Sequence, residues 1–321
     1  MKYLINRCTL YRCTIVYPYQ LHQRSIHTTI PQLHNQLPSQ PVFNYAYNAT
    51  IIQLNLATPT VKHIRLYINS IAADDIDNIQ YNKLVQLQRV PPISQNFQFQ
   101  SGQWVDLHIP NIYRVGGYTI TSIPSDYMKY NTIDLYIKYS QHPVVNYIHN
   151  HAEINDPVKI RVGGTFIYGS DINDPTHQFN TIFCAGGVGV NTVYSMLCVR
   201  MNVLSQLYRK NIDDMPNTTF LYTAKSMSEL LFHHELCQLQ KQYNNKLIYE
   251  YSLTGDGNDD NTNANTNKRI TLQQIERYIT QPISSNRIYM CGPSQMCDEL
   301  NDQLLTVDEL QQSQVLYEKW W

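Results

Sequence analysis

Cys184-Ala185-Gly186-Gly187-Val188-Gly189-Val190-Asn191 places three glycines between an apolar run and a helical repeat. The apolar run Thr181–Ala185 leads into it, and Val193, Leu197, Met201, Leu204 and Tyr208 follow at helical spacing. A strand, a glycine-rich turn and a helix in that order open a parallel α/β unit. Glycines keep such a turn tight and let a ligand reach the backbone. The helix start beyond them offers free N–H groups and a positive dipole end to a pyrophosphate. Gly186, Gly187, Val188, Gly189, Val190 and Asn191 therefore read as a dinucleotide-binding loop, with a purely structural turn as the alternative. The loop departs from the usual Gly-x-Gly-x-x-Gly pattern, because Thr192 stands where the third glycine would be.

The pattern continues to the end of the chain. Phe220–Thr223, Lys246–Leu253, Arg287–Cys291 and Gln314–Tyr317 read as strands. Between them, Ser226 with Glu229 reads as a capping box, Thr271 with Gln274 as a helix cap, and Pro293 as a first helical turn. This alternation predicts a parallel sheet with helices on both faces over residues 176–321. Tyr289-Met290-Cys291-Gly292-Pro293 ends one strand of that sheet, so Cys291, Gly292 and Pro293 converge with the glycine loop on one crevice at the strands' carboxyl ends. Thr223 and Lys225 close the second strand. No acidic residue is there to take a ribose 2′-hydroxyl, and Lys225 suits either a 2′-phosphate or solvent. NAD and NADP both stay open on that reading.

Upstream, residues 45–170 hold short segments bounded by Gly, Pro, Asn or Asp: Ala49–Leu56, His63–Ile68, Gly102–Pro110, Gly117–Ser122, Thr132–Tyr139 and Pro157–Phe166. Strands at this spacing predict an antiparallel barrel or sandwich. Residues 71–96 read as a long insertion, and the Asn- and Asp-rich tract 255–268 as a disordered one.

At 321 residues and 43% hydrophobic content, the chain has length and apolar residues for two cores. A net charge of -1 makes no electrostatic case for nucleic acid. No Asp or Glu precedes Asp74, whereas Lys2, Arg7, Arg12 and Arg24 fall early. A basic, acid-free, hydroxyl-bearing start predicts a mitochondrial transit peptide over residues 1–30 and a matrix location. No apolar run is long enough to span a bilayer. The seven cysteines include no Cys-x-x-Cys pair, which argues against structural zinc and a disulfide framework. No metal ligand set is assigned.

Together these segments resemble the ferredoxin reductase-like flavoprotein superfamily. Gly116-Gly117-Tyr118-Thr119, Arg161-Val162-Gly163-Gly164, Ala185-Gly186-Gly187-Val188-Gly189, Ser228-Glu229-Leu230-Leu231-Phe232 and Glu318-Lys319-Trp320-Trp321, in that order, are similar to the oxidoreductase NAD-binding domain-containing protein 1 family. The resemblance covers residues from about 45 to 321. It implies two domains, a flavin-binding antiparallel β-barrel followed by an α/β nucleotide-binding domain, and NAD(P)H-dependent transfer of hydride to FAD.

Site residues carry over one by one. The superfamily's flavin motif is Arg-x-Tyr-Ser/Thr-x-x-Ser, and Tyr118, Thr119 and Ser122 match it. The resemblance implies that Tyr118 packs on the isoalloxazine, that Thr119 acts near its N5, and that Lys138 supplies a basic contact. Gly116 stands at the arginine position, and the Ser that usually starts the next helix is missing from His142-Pro143-Val144-Val145-Asn146-Tyr147. Cys291 matches the cysteine beside the nicotinamide ring, and Trp321 the terminal aromatic that covers the flavin. The reading is thus a flavin-linked oxidoreductase with a nicotinamide nucleotide, an unassigned acceptor and a protein electron acceptor as candidate partner. The alternative, motivated by Gly116 and the missing Ser, is a nucleotide-binding assembly or redox-sensing factor without turnover.

Overall fold

Two six-stranded sheets follow one another in the chain. The computed structural model describes residues 47–69, 97–255, 265–266 and 269–320. The expected transit peptide, the insertion 71–96, most of the tract 255–268 and Trp321 lie outside the described residues.

The first sheet is antiparallel. Its strands are β1 (Tyr47–Leu56), β2 (Val61–Ile68), β3 (Trp104–His108), β4 (Gly116–Thr119), β5 (Thr132–Lys138) and β6 (Pro157–Gly163), in the order β4-β3-β6-β1-β2-β5. Each lies where the alternation of the sequence predicts one. Just beyond β4 the outer strands meet: Thr121 N donates to Asp134 O at 2.9 Å, and Asp134 N donates to Ser122 Oγ at 3.1 Å. These bonds close the sheet into a barrel around Ile51, Leu66, Val105, Leu107, Ile133 and Leu135, all at or near zero exposure. Two helices cover its openings, α1 (Pro124–Tyr130) and α2 (Pro143–Asn150), each started by a proline whose missing N–H costs nothing there. The sequence reading does not anticipate α1.

The second sheet is parallel throughout. It holds β7 (Asn180–Gly186), β8 (Thr218–Ala224), β9 (Leu247–Leu253), β10 (Asn265–Thr266), β11 (Asn286–Pro293) and β12 (Val315–Trp320), in the order β10-β9-β8-β7-β11-β12. On one face pack α3 (Val190–Leu207) and α4 (His233–Tyr243), and on the other α5 (Leu272–Glu276) and α6 (Ser294–Leu304). The tract expected to be wholly irregular thus contributes the two-residue strand β10, paired with Ser252 and Leu253. Chain order reverses between β7 and β11, which makes their carboxyl ends the switch point where a ligand crevice forms.

Two local expectations need correcting. The Ser226–Glu229 capping box does not form, and α4 begins only at His233. Glu229 instead accepts from Thr58 Oγ1 at 3.1 Å and Thr60 Oγ1 at 2.6 Å, both on the β1–β2 turn of the barrel. A carboxylate satisfied across the interface cannot also cap its own helix. Pro293 ends β11 and precedes α6 rather than sitting in its first turn. Thr271 does cap α5, accepting from Gln274 N at 3.3 Å. Among the described residues, no helix is long and apolar enough to cross a membrane.

Candidate functional site

The amino-terminal end of α3 docks on the barrel, and that contact builds the site. Thr192 Oγ1 lies 3.1 Å from Thr119 Oγ1, and Asn191 Nδ2 donates to Tyr136 O at 2.9 Å. One turn later Ser195 Oγ donates to Ser101 Oγ at 3.1 Å. A second contact flanks it. Phe232 stacks on Tyr194 at 4.1 Å and meets Tyr136 edge-on at 4.7 Å, joining helix, strand and loop. Beside these contacts an open cleft of about 260 Å3 runs between the sheets. Gly116, Gly117, Tyr118, Thr119 and Lys138 form its barrel wall, Val188 and Asn191 the opposite wall, and Trp320 its edge.

Within the loop the glycines have separate tasks. Gly187 has φ +54, and a Cβ there would meet nothing within 4 Å, so its outer side is open to a ligand. Gly189 faces inward, and a Cβ there would overlap the carbonyl oxygen of Cys291. Its absent side chain lets α3 approach β11. Val190 is fully buried in the core.

Cys291 is also fully buried, its thiol donating to Thr192 Oγ1 at 3.4 Å. Burial pushes that thiol far above its ordinary range, so it stays protonated. Thr119, Thr192 and Cys291 form one hydrogen-bonded line from barrel to β11. Thr192, which the sequence presents only as a missing glycine, is its centre.

The other sequence candidates separate. Tyr118 lines the cleft, and a side chain at position 116 would overlap its hydroxyl, so Gly116 is the space Tyr118 uses. Lys138 ends β5 at the cleft, near His142 and the start of α2. Burial, with Arg114 close by, lowers the His142 imidazole. Ser122 is held between Asp134 N and Ser195 Oγ, structural contacts away from the cleft lining. Thr223 is buried with an unpartnered hydroxyl at the end of β8, and Lys225 is exposed just beyond it. Gly292 packs against Gly186 and Met296, and Pro293 is exposed beside them.

β12 brings a group that sequence reasoning missed. Its alternation turns Leu316, Glu318 and Trp320 to the α3 side and Lys319 away, where Lys319 Nζ meets Asp298 at 2.7 Å. Burial pushes the Glu318 carboxyl up to about 7, opposed by the indole N–H of Trp320, and its charge bears on Cys291. A period-two reading carried one residue past Tyr317 would have placed it.

This geometry has close relatives. Residues 183–302 match the oxidoreductase NAD-binding domain family. The chain is 32% identical over 239 residues to oxidoreductase NAD-binding domain-containing protein 1 of Pongo abelii, covering 74% of this chain and 75% of that protein. The chain belongs to that family. Its fold is shared with the flavohem-like FAD/NAD-binding domain of nitric oxide dioxygenase from Vibrio cholerae O1 biovar El Tor, with a TM-score of 0.60, 18% identity, and coverage of 85% of this chain and 98% of that one. A ferredoxin NADP+ reductase from Neisseria gonorrhoeae with bound FAD and NADP also has a TM-score of 0.60, at 14% identity, covering 85% and 98%. Within the oxidoreductase NAD-binding domain-containing protein 1 family, this chain therefore carries the two-sheet ferredoxin reductase-like architecture.

Proposed function

We propose that the chain is an NAD(P)H-dependent flavoprotein oxidoreductase whose reaction runs in the cleft between Tyr118 and Asn191. One observation carries this: the glycine loop at the switch point of the parallel sheet faces the Tyr118–Thr119 wall of the barrel across a single cleft.

The residues fit a nicotinamide dinucleotide. Gly187 leaves open space at the start of α3, where free N–H groups suit a pyrophosphate. They also fit a flavin ring, which Tyr118 and Trp320 can flank with their π-faces. Its phosphates would fall to Lys138, His142 and the α2 start, because Gly116 offers no cation. The Neisseria relative holding FAD and NADP supports the same pairing. When bound, the nicotinamide supplies a hydride and the flavin accepts it.

The chain's own residues align and shield that site. Thr119, Thr192 and Cys291 hold the two walls in register. Cys291 acts as a neutral thiol, not as a nucleophile. Glu318, raised by burial to about 7, can keep or release a proton beside Trp320 of the cleft. Lys225, exposed and without an acidic neighbour in its strand end, accommodates NADP as well as NAD. The electron acceptor would be a partner protein, as the ferredoxin reductase relative suggests.

The test is the visible spectrum of the pure protein after incubation with FAD. Flavin absorption that survives gel filtration, and bleaches under anaerobic NADH, is the expected result. A colourless protein that cannot be reconstituted would favour a nucleotide-binding assembly or redox-sensing factor without turnover.

A further inference from the structure

Asn191 is 4% exposed, and its amide is only half satisfied. Nδ2 donates to the carbonyl of Tyr136 at 2.9 Å, whereas Oδ1 accepts no hydrogen bond. A carbonyl oxygen can only accept, so β5 forces the amide nitrogen toward itself and fixes the amide's orientation. The oxygen is thereby presented as a pure acceptor, on a residue that lines the cleft. A buried acceptor without a donor is costly, so this atom marks a place where a donor is missing from the protein itself.

The donors that pack beside the start of α3 have other partners. The Thr119 and Thr192 hydroxyls bond each other, the Cys291 thiol donates to Thr192, and the Trp320 indole N–H lies by the Glu318 carboxyl. Asn191 stands on the nucleotide-domain wall, four residues after Gly187 and opposite Tyr118. A dinucleotide held at the glycine loop would have its nicotinamide end in the cleft that Val188 and Asn191 line. The nicotinamide carboxamide carries an –NH2 group, a donor of the required kind.

Resting on the nicotinamide reading of the cleft, we propose that Asn191 Oδ1 accepts a hydrogen bond from the carboxamide –NH2 of the nicotinamide. Asn191 is then a positioning and specificity residue. It orients the ring against the barrel wall through the same side chain that locks α3 to β5, and it selects a carboxamide over a ring substituent without an N–H.

The experiment compares dissociation constants, by calorimetry, for NAD+ and for its 3-acetylpyridine analogue, in which a methyl ketone replaces the carboxamide. Wild-type protein, Asn191→Ala and the near-isosteric Asn191→Leu are measured. Wild type should bind NAD+ about tenfold more tightly than the ketone, the worth of one such hydrogen bond. In either variant the ratio should fall to about one, whatever the change in overall affinity. Because each ratio is taken within one protein, loss of the Tyr136 contact cancels, and Asn191→Leu serves if Asn191→Ala folds poorly. A wild-type ratio near one, or an unchanged ratio in a folded variant, overturns the role of Asn191 while leaving the nicotinamide site standing. Wild-type protein that binds neither dinucleotide overturns the nicotinamide reading, and this inference with it.

Discussion

At the residue scale, the two glycines Gly187 and Gly189 look alike in sequence but differ in the fold. Gly187 holds a left-handed backbone and faces open space, whereas Gly189 is pressed against the Cys291 carbonyl. Valine at 187 adds bulk on the open side proposed for the pyrophosphate, and its positive φ costs about 1–2 kcal/mol. Valine at 189 forces α3 off β11 and costs about 3 kcal/mol as an overpacking change. We expect Gly187→Val to remain folded with NADH affinity reduced at least about tenfold, in line with one lost strong contact. Gly189→Val should lose a large part of its stability before affinity can be compared. Thermal melts and nucleotide titrations of both variants, run side by side, check this, and wild-type affinity in Gly187→Val would count against the loop. The residue types made the loop legible in the sequence. Which glycine faces open space and which serves packing depends on the path of β11, about a hundred residues away in the chain, and no local pattern carries that.

At the scale of elements, strands were the most readable part, because period-two alternation and Gly or Pro punctuation are local signals. Errors arose where an element answers to a distant partner. Glu229 reads as a helix cap by spacing but binds Thr58 and Thr60 of the barrel. α3 reads correctly from its apolar spacing, yet its fully buried Arg200 is unexpected. That guanidinium is satisfied by Thr218 Oγ1, the Tyr168 hydroxyl and the carbonyls of Phe179 and Asn217, none of which is adjacent in sequence.

The last strand supplies a test of its own. β12 carries Glu318 into partial burial, and its folded-state carboxyl is raised to about 7 from an ordinary value of 4.5. The folded protein therefore holds more protons than the unfolded chain between those values. The stability that Glu318 contributes is complete below about pH 4.5 and is lost as pH rises through about 7. Glu318→Gln, which mimics the protonated side chain, should flatten that fall. It should match wild type in acid and melt higher than wild type at pH 8. Parallel melting curves across pH for the two proteins would contradict the burial of this carboxyl.

For the whole molecule, the decisive feature is that the two sheets are joined through the same helix end that bounds the cleft. Asn191, Thr192 and Ser195 each bond the barrel within the first two turns of α3. The glycine loop and the strand–helix alternation predict the parallel sheet, and the spacing of short strands in residues 45–170 predicts the antiparallel one before it. The interface between them carries no motif: the partners of α3 lie 55 to 94 residues away in the chain, and those of Glu229 lie 169 and 171 away. Trp320 joins Tyr118 and Tyr136 at the cleft, since β12 runs three residues further than its apolar pattern suggests, and Trp321 lies outside the described residues. Joining the sheets at this point makes the cleft a product of the complete fold.

Direct titration of the pure wild-type protein with NADH and NADPH tests whether this cleft binds a nicotinamide nucleotide. Trp320 lies at the cleft edge, so bound nucleotide should quench its fluorescence in step with the calorimetric heat. We expect saturable binding of one nucleotide per chain, competed by NAD+ or NADP+ and weakened in Gly187→Val. Absence of both heat and quenching up to millimolar nucleotide, in protein shown to be folded, would mean that the cleft is not a nicotinamide site.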